Sequence, residues 1–217
     1  MKKLLVAFTL CISVVANAGN APKSKLINEG RVVYDITADG DINPMMAAML
    51  PTELTMFLKG PMLKSEMKGT GFGFVTIIDT KAKTSTNLID MMGKKSMVKS
   101  TPEDLDKAYA EHKPTVKILK ETKVIAGFKC NKAEITSSKG NVSYVYFTKA
   151  IASRNGYNLN LRDIDGFLME YEINQANLKL KVTARSVNGI EKVPDSSFEI
   201  PEGYNEVKKE DLQKMAK

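Results

Sequence analysis

The stretch Leu54–Lys99, LTMFLKGPMLKSEMKGTGFGFVTIIDTKAKTSTNLIDMMGKKSMVK, decides the fold. Leu54, Met56 and Leu58 alternate with Thr55 and Phe57 until Gly60-Pro61 forces a turn. Leu63–Lys68, Phe72–Asp79, Thr84–Asp90 and Lys95–Lys99 follow, divided by Lys-Gly, Asp-Thr-Lys and Gly-Lys-Lys breaks. Side chains two apart share a face of a strand, so this period, cut every ten residues or so by turn formers, describes an antiparallel meander.

The same signal extends outward. Arg31–Ala38 (RVVYDITA) is an earlier strand, closed by Asp39-Gly40-Asp41. Thr115–Thr122, Cys130–Ser137, Val142–Thr148, Gly166–Ile173 and Leu178–Val187 are later ones. Three segments read as helices. Asn43–Leu50 places Pro44 at a helix start, Thr101–His112 opens with Thr101, Pro102 and Asp104 as an acidic capping box, and Lys208–Lys217 is a short amphipathic tail. No internal repeat or linker divides the chain. The expected fold class is α+β: a curved antiparallel β-sheet, or half-open barrel, with short helices covering its concave face.

Residues 1–18 have the layout of a cleavable leader. Lys2 and Lys3 precede an apolar run, Leu4–Val15, and Ala16-Asn17-Ala18 supplies the small residues of a cleavage site after Ala18. The run is about a dozen residues, against the roughly 20 needed to span a bilayer. Leu10 before Cys11 argues against lipidation there. Export from the cytoplasm is therefore expected, with residues 19–217 forming one domain and a monomer. Cys130 is then the sole thiol, so no internal disulfide forms. The net charge of +7 is spread along the chain among acids, and no basic patch interleaved with aromatics argues for nucleic acid.

Catalysis finds little support, and an enzyme is not expected. His112, the single histidine, lies in the last turn of a helix, where packing or capping explains it. Cys130 reads best as a small buried apolar residue, although Lys129 and Lys132 stand near it. Asp163 and Asp165, and Glu170 and Glu172, read as solvent-facing charge. Gly69–Gly73 has no following helix or lysine to cradle phosphate and reads as a bend in a curved sheet. One histidine and one cysteine make no metal site, and no cofactor is expected.

Methionine stands out. Met45, Met46, Met49, Met56, Met62, Met67, Met91, Met92 and Met97 crowd the first half. Methionine is flexible and suits surfaces that accept varied apolar partners. The helix NPMMAAML can serve as a core plug or as a lid on an apolar cavity. The expected ligand-binding residues are Met45, Met46, Met49, Leu50, Met56, Phe57, Phe72 and Phe74, although strand alternation lets only one of each adjacent pair face inward.

The second half carries a family resemblance. ETKVIAGFKCNKAEI (Glu121–Ile135) resembles a glycine–aromatic–x–cysteine strand pair, YVYFTK (Tyr144–Lys149) the following aromatic strand, and GFLME (Gly166–Glu170) the next. VPDSSFEIPEGY (Val193–Tyr204) resembles a closing D-x-x-F-x-x-P-x-G-Y segment. Together they resemble an exported bacterial domain of unknown function, a group similar to lipoprotein carriers of the LolA type. The resemblance implies a half-open barrel with helices over an apolar concave side, acyl chains as cargo, and a Gram-negative periplasm. It supplies no catalytic residue. The expected function is thus a non-enzymatic binder or carrier of a lipid or other apolar ligand, possible lipoprotein acyl chains among them. The alternative is a protein–protein module for envelope sensing or assembly.

Overall fold

The computed structural model describes residues 25–40, 42–155, 161–175 and 178–208. The leader 1–18, most of the tail 208–217 and the side chain of Met46 lie outside the described residues. The alternating segments become strands β1 (Glu29–Asp39), β2 (Glu53–Lys59), β3 (Met62–Gly69), β4 (Phe72–Asp79), β5 (Thr84–Met91) and β6 (Lys94–Ser100). The second half adds β7 (Thr115–Ile125), β8 (Phe128–Thr136), β9 (Val142–Thr148), β10 (Phe167–Gln175), β11 (Leu178–Asn188) and the two-residue β12 (Asn205–Glu206). Helix α1 (Pro44–Met49) joins β1 to β2, and α2 (Pro102–His112) joins β6 to β7.

All twelve strands belong to one sheet, ordered β12-β6-β5-β4-β3-β2-β1-β11-β10-β9-β8-β7. Two meanders meet where β1 pairs antiparallel with β11, in a register that places Tyr34 opposite Ala184 and Ile36 opposite Val182. Among the described strands, only β12 runs parallel to its neighbour. The sheet rolls upon itself. Ile125 and Cys130 of the β7–β8 hairpin share one buried cluster with Val32, Tyr34, Leu58 and Leu63, although four strands separate β7 from β1 in the order. The loop through α2 also carries the chain from β6, near one border, to β7 at the other, which an unrolled sheet of this width would not allow.

The rolled inner face is filled by its own side chains. Tyr34 is fully buried, donates its hydroxyl proton to the Leu168 carbonyl at 2.8 Å, and meets the Tyr171 ring edge-on at 6.3 Å. Two smaller clusters cover the other face with turns and a short 3-10 helix, Asp195–Phe198, that lie outside the strands. Leu161 and Ile164 lie over Ala133, Val145 and Phe147, while Phe198 and Tyr204 lie over Ile77, Leu88 and Met97.

This arrangement corrects the α+β expectation with helices over the concave face. α1 has six residues and α2 eleven, and α2 has no buried residue. The physical reason is in the sequence PEDLDKAYAEH, whose only large aliphatic side chain is Leu105, so no apolar stripe exists to seat that helix on the sheet. Its start is as expected: Thr101 and Asp104 form the capping box.

Gly69 is needed where it stands. It pairs with Phe72 across the β3–β4 hairpin, and the Phe72 ring lies over the space a Cβ would fill, 2.8 Å from the Met49 carbonyl oxygen. Gly69→Ala is expected to cost about 1–3 kcal/mol through overpacking, a fall of roughly 2–10 °C in Tm for a chain of this size. A thermal melt unchanged within a degree would show that the ring and α1 yield freely.

Candidate functional site

The strand directions give the rolled sheet two unlike ends. At one end lie the β2–β3, β4–β5 and β7–β8 turns, crossed by the segment that follows β9. Ile151 forms a parallel bridge with Ile27 there, and Arg154 reaches Asn28 and Gly60. This end is closed. The opposite end carries α1 and the β3–β4 and β5–β6 turns.

At that open end the turns hold one another. Met92 N–H donates to the Gly71 carbonyl at 2.8 Å, and the Thr70 hydroxyl donates to the Ala48 carbonyl at 3.3 Å. Gly71 has φ +78°, and Met92 Sδ lies 2.6 Å from the point a Cβ would occupy there. The two segments joined to the β3–β4 turn carry four exposed methionines: Met45 is 77 % exposed, Met49 53 %, Met91 57 % and Met92 86 %. Below them, a row of half-buried apolar residues runs across the sheet. Phe74 pairs with Met67 on one side and Ile89 on the other, and Phe72 pairs with Met91.

Of the residues expected from sequence, Met45, Met49, Phe72 and Phe74 lie at this end, and Leu50 packs against the main core. Met46 is on α1, with its side chain outside the described residues. Met56 is buried as plain core opposite Val32. Phe57 points to the other face, between Arg31 and Lys64 in register, as alternation requires. Neither Met45 nor Met49 plugs anything. Met67, Ile89, Met91 and Met92 join the site only through cross-strand register, a signal the hairpin spacing of Phe72–Met91 already contained.

The polar candidates resolve differently. Cys130 is fully buried, donates its thiol to the Phe128 carbonyl at 3.3 Å, and burial pushes its pKa up, away from reactivity. His112 is exposed, with Nδ1 2.9 Å from the Ala108 carbonyl of its own helix. Asp163 accepts the Tyr109 hydroxyl and Asp165 pairs with Lys149. Glu170 is not solvent-facing charge: it is buried and accepts from Lys123 at 2.7 Å and Thr183 at 3.1 Å, with Lys181 at 3.4 Å. Lys123 also sits 4.2 Å above the Tyr146 ring. Burial alone would raise the Glu170 carboxyl, but the hydrogen bond and charge of Lys123, with Lys181, hold it below the usual range. Among the described residues, no three His, Cys, Asp or Glu side chains are grouped to hold a metal ion, and no helix is long and apolar enough to cross a membrane. A cavity of about 110 Å³ beside Ile78, Thr84, Leu105 and Arg162 lies at the closed end, below the roughly 300 Å³ of ordinary ligand pockets.

The class this geometry defines is a rolled, mostly antiparallel sheet with one closed and one apolar open end. No family model matches the chain, and no curated protein does. Among solved structures, one of PNGF-II is similar with a TM-score of 0.54 at 17 % identity, covering 87 % of this chain and 33 % of the other. A second crystal form of PNGF-II gives 0.51 at 15 %. The chain thus spans about a third of the PNGF-II structures it matches, and at these identities the likeness is one of fold. MucB, covering 83 % of this chain and 60 % of its own, and LprF from Mycobacterium bovis, covering 77 % and 90 %, also match, at 8 % and 12 % identity and TM-scores of 0.33 and 0.32.

Proposed function

We propose that this chain is an exported, non-enzymatic binder of an apolar ligand, taken at the methionine-rimmed open end, with acyl chains as the ligand class. The observation that carries this reading is the exposure of Met45, Met49, Met91 and Met92, all more than half exposed, at the end of the sheet that holds the half-buried row of Met67, Phe72, Phe74 and Ile89. Water contact at such a rim is unfavourable, and each methylene laid upon it is worth about 0.8 kcal/mol. Methionine's flexible, polarizable side chain lets one rim follow chains of different shape. The leader-like residues 1–18 support export, and the periplasm is the proposed place of action.

The test is Met45→Asp combined with Met49→Asp and Met92→Asp, scored by binding of a fluorescent fatty acid. A loss of at least tenfold is expected with an unchanged circular dichroism spectrum, because exposed positions contribute little to folding. Undiminished binding would remove the rim from the site. Native mass spectrometry of the periplasm-purified chain, before and after solvent extraction, would identify the cargo.

A second reading has its own observation. The inner face between β1, β2, β10 and β11 is occupied by Val32, Tyr34, Met56, Met169 and Val182, which leaves no room for an acyl chain there. The ligand then lies across the rim, where the apolar face of a partner protein would also fit. A chain that emerges ligand-free but co-purifies in a defined complex would favour that reading.

A further inference from the structure

The two borders of the sheet differ. At one, the chain closes its own edge. β12 lies along β6, Val207 N–H donates to the Met97 carbonyl at 2.9 Å, and Glu206 pairs with Lys99 of β6 at 2.8 Å. At the other border stands β7, whose one strand neighbour is β8. Among the described residues, no backbone hydrogen bond reaches β7 from outside that hairpin. Ile125 and Phe128 close its two-residue turn, Ala126-Gly127, where φ is 48° and 83°. Residues flanking such a turn bond to each other and the next residue along faces away, so Val124 and Thr122 direct N–H and C=O away from β8.

The side chains along this edge suit a further strand. Within β7 only Ile125 is buried, while Ile118 is 57 % and Val124 72 % exposed. Lys113, Lys117 and Lys120 are exposed and join no ion pair among the described residues, whereas Glu121 is held by Lys132 and Lys123 by Glu170. Lysine on an edge repels strands that are themselves basic, but exposed β-branched side chains do nothing to deter pairing. A second copy is a poor fit, since antiparallel β7 strands centred on Ile118-Leu119 set Lys117 opposite Lys120. The chain's own ends are poor fits too: Gly19–Ser24 carries Lys23 and no acid, and Lys208–Lys217 has four lysines against two acids. We propose that β7 is a docking edge for an extended acidic segment of another protein, which joins the sheet there as the Glu206-bearing strand does at the opposite border. Backbone bonds supply the affinity, and the three lysines with Ile118 and Val124 select alternating acidic and β-branched residues. This edge is separate from the methionine rim and does not depend on the apolar-ligand reading.

The full chain should be titrated into fluorescein-labelled peptides, one of alternating glutamate and valine and one of alternating lysine and valine, followed by fluorescence polarisation and amide hydrogen exchange. The acidic peptide is expected to bind more tightly by about tenfold or more, to weaken with salt, and to slow exchange at Thr122 and Val124. Val124→Pro removes an outward N–H at an edge position that tolerates proline, and should abolish binding with an unchanged circular dichroism spectrum. Lys117→Glu with Lys120→Glu leaves the backbone intact and should reverse the preference to the basic peptide, which decides the matter even if the proline variant unfolds. Equal affinity for the two peptides in the parent chain, no reversal in the double-Glu variant, or protection confined to other strands would overturn the assignment. A dimer of the parent chain that Val124→Pro converts to monomer in size-exclusion chromatography would overturn it as well, because a second copy would then occupy the edge.

Discussion

Arg154→Ala is expected to destabilise the fold by about 2–4 kcal/mol. Arg154 is only 3 % exposed and lies on the segment that closes one end of the roll. Nη1 donates to the Ala152 carbonyl at 2.8 Å. Nη2 donates to the carbonyls of Asn28 at 3.0 Å and Gly60 at 2.7 Å, and to Asn28 Oδ1 at 2.7 Å. One side chain thus ties the start of β1, the β2–β3 turn and the β9–β10 connection. Burial draws its pKa down to about 10, so it stays charged at neutral pH. Its charge is met by carbonyl dipoles alone among these contacts. Truncation removes the donors of four hydrogen bonds, to Ala152, Gly60 and two oxygens of Asn28, and each bond made by a charged group is worth about 1.5–3 kcal/mol where water does not replace it. Urea denaturation of the variant measures the loss. Arg154→Lys should recover only part of it, because an ammonium lacks the planar fork that spans three carbonyls. A cost below about 1 kcal/mol would mean that the closing segment is held by Ile151 and its bridge to Ile27 alone.

Glu170→Gln is expected to cost about 1.5–3 kcal/mol at pH 7, the range for hydrogen bonds to a charged group. It keeps the shape but removes the charge that Lys123 and Lys181 face. The pH dependence follows from the sign of the shift. The folded carboxyl is held below its unfolded value of 4.5, so its stabilisation is fully present above that value and is lost as pH falls through the lower folded one. Wild-type and Gln chains should therefore differ at pH 7 and converge as the pH falls from 4.5 through the lower folded value in acid-denaturation curves. A constant gap across that range would assign the cost to packing rather than to charge.

Much of the strand inventory was legible beforehand, and the reasons are local. Gly60-Pro61 and Gly69–Gly71 mark hairpins, and alternation between them sets which side chains share a face. The β7 strand runs three residues beyond the expected Thr122, through a register break between Ile118 and Thr122 that no period reveals. Glu170 and Glu172 look alike in sequence. Burial separates them, because Glu170 lies beneath Lys123 and beside Thr183 while Glu172 reaches the half-exposed Lys179. The methionines misled in another way. An apolar side chain in a short helix suggested a covered cavity, yet Met45 and Met49 stand more than half exposed.

By itself, the sequence determined the near-neighbour pairing: hairpin turns need particular backbone conformations, and period two assigns faces. Only the tertiary structure decided that β1 pairs with β11, that the sheet rolls until β7 reaches the core of β1–β3, and that turns and a short 3-10 helix rather than α-helices cover the other face. Those outcomes depend on contacts between residues as much as 164 positions apart, Glu29 and Val193 among them, and are settled by which rolled shape buries the most apolar surface. The open methionine rim is what that burial leaves over.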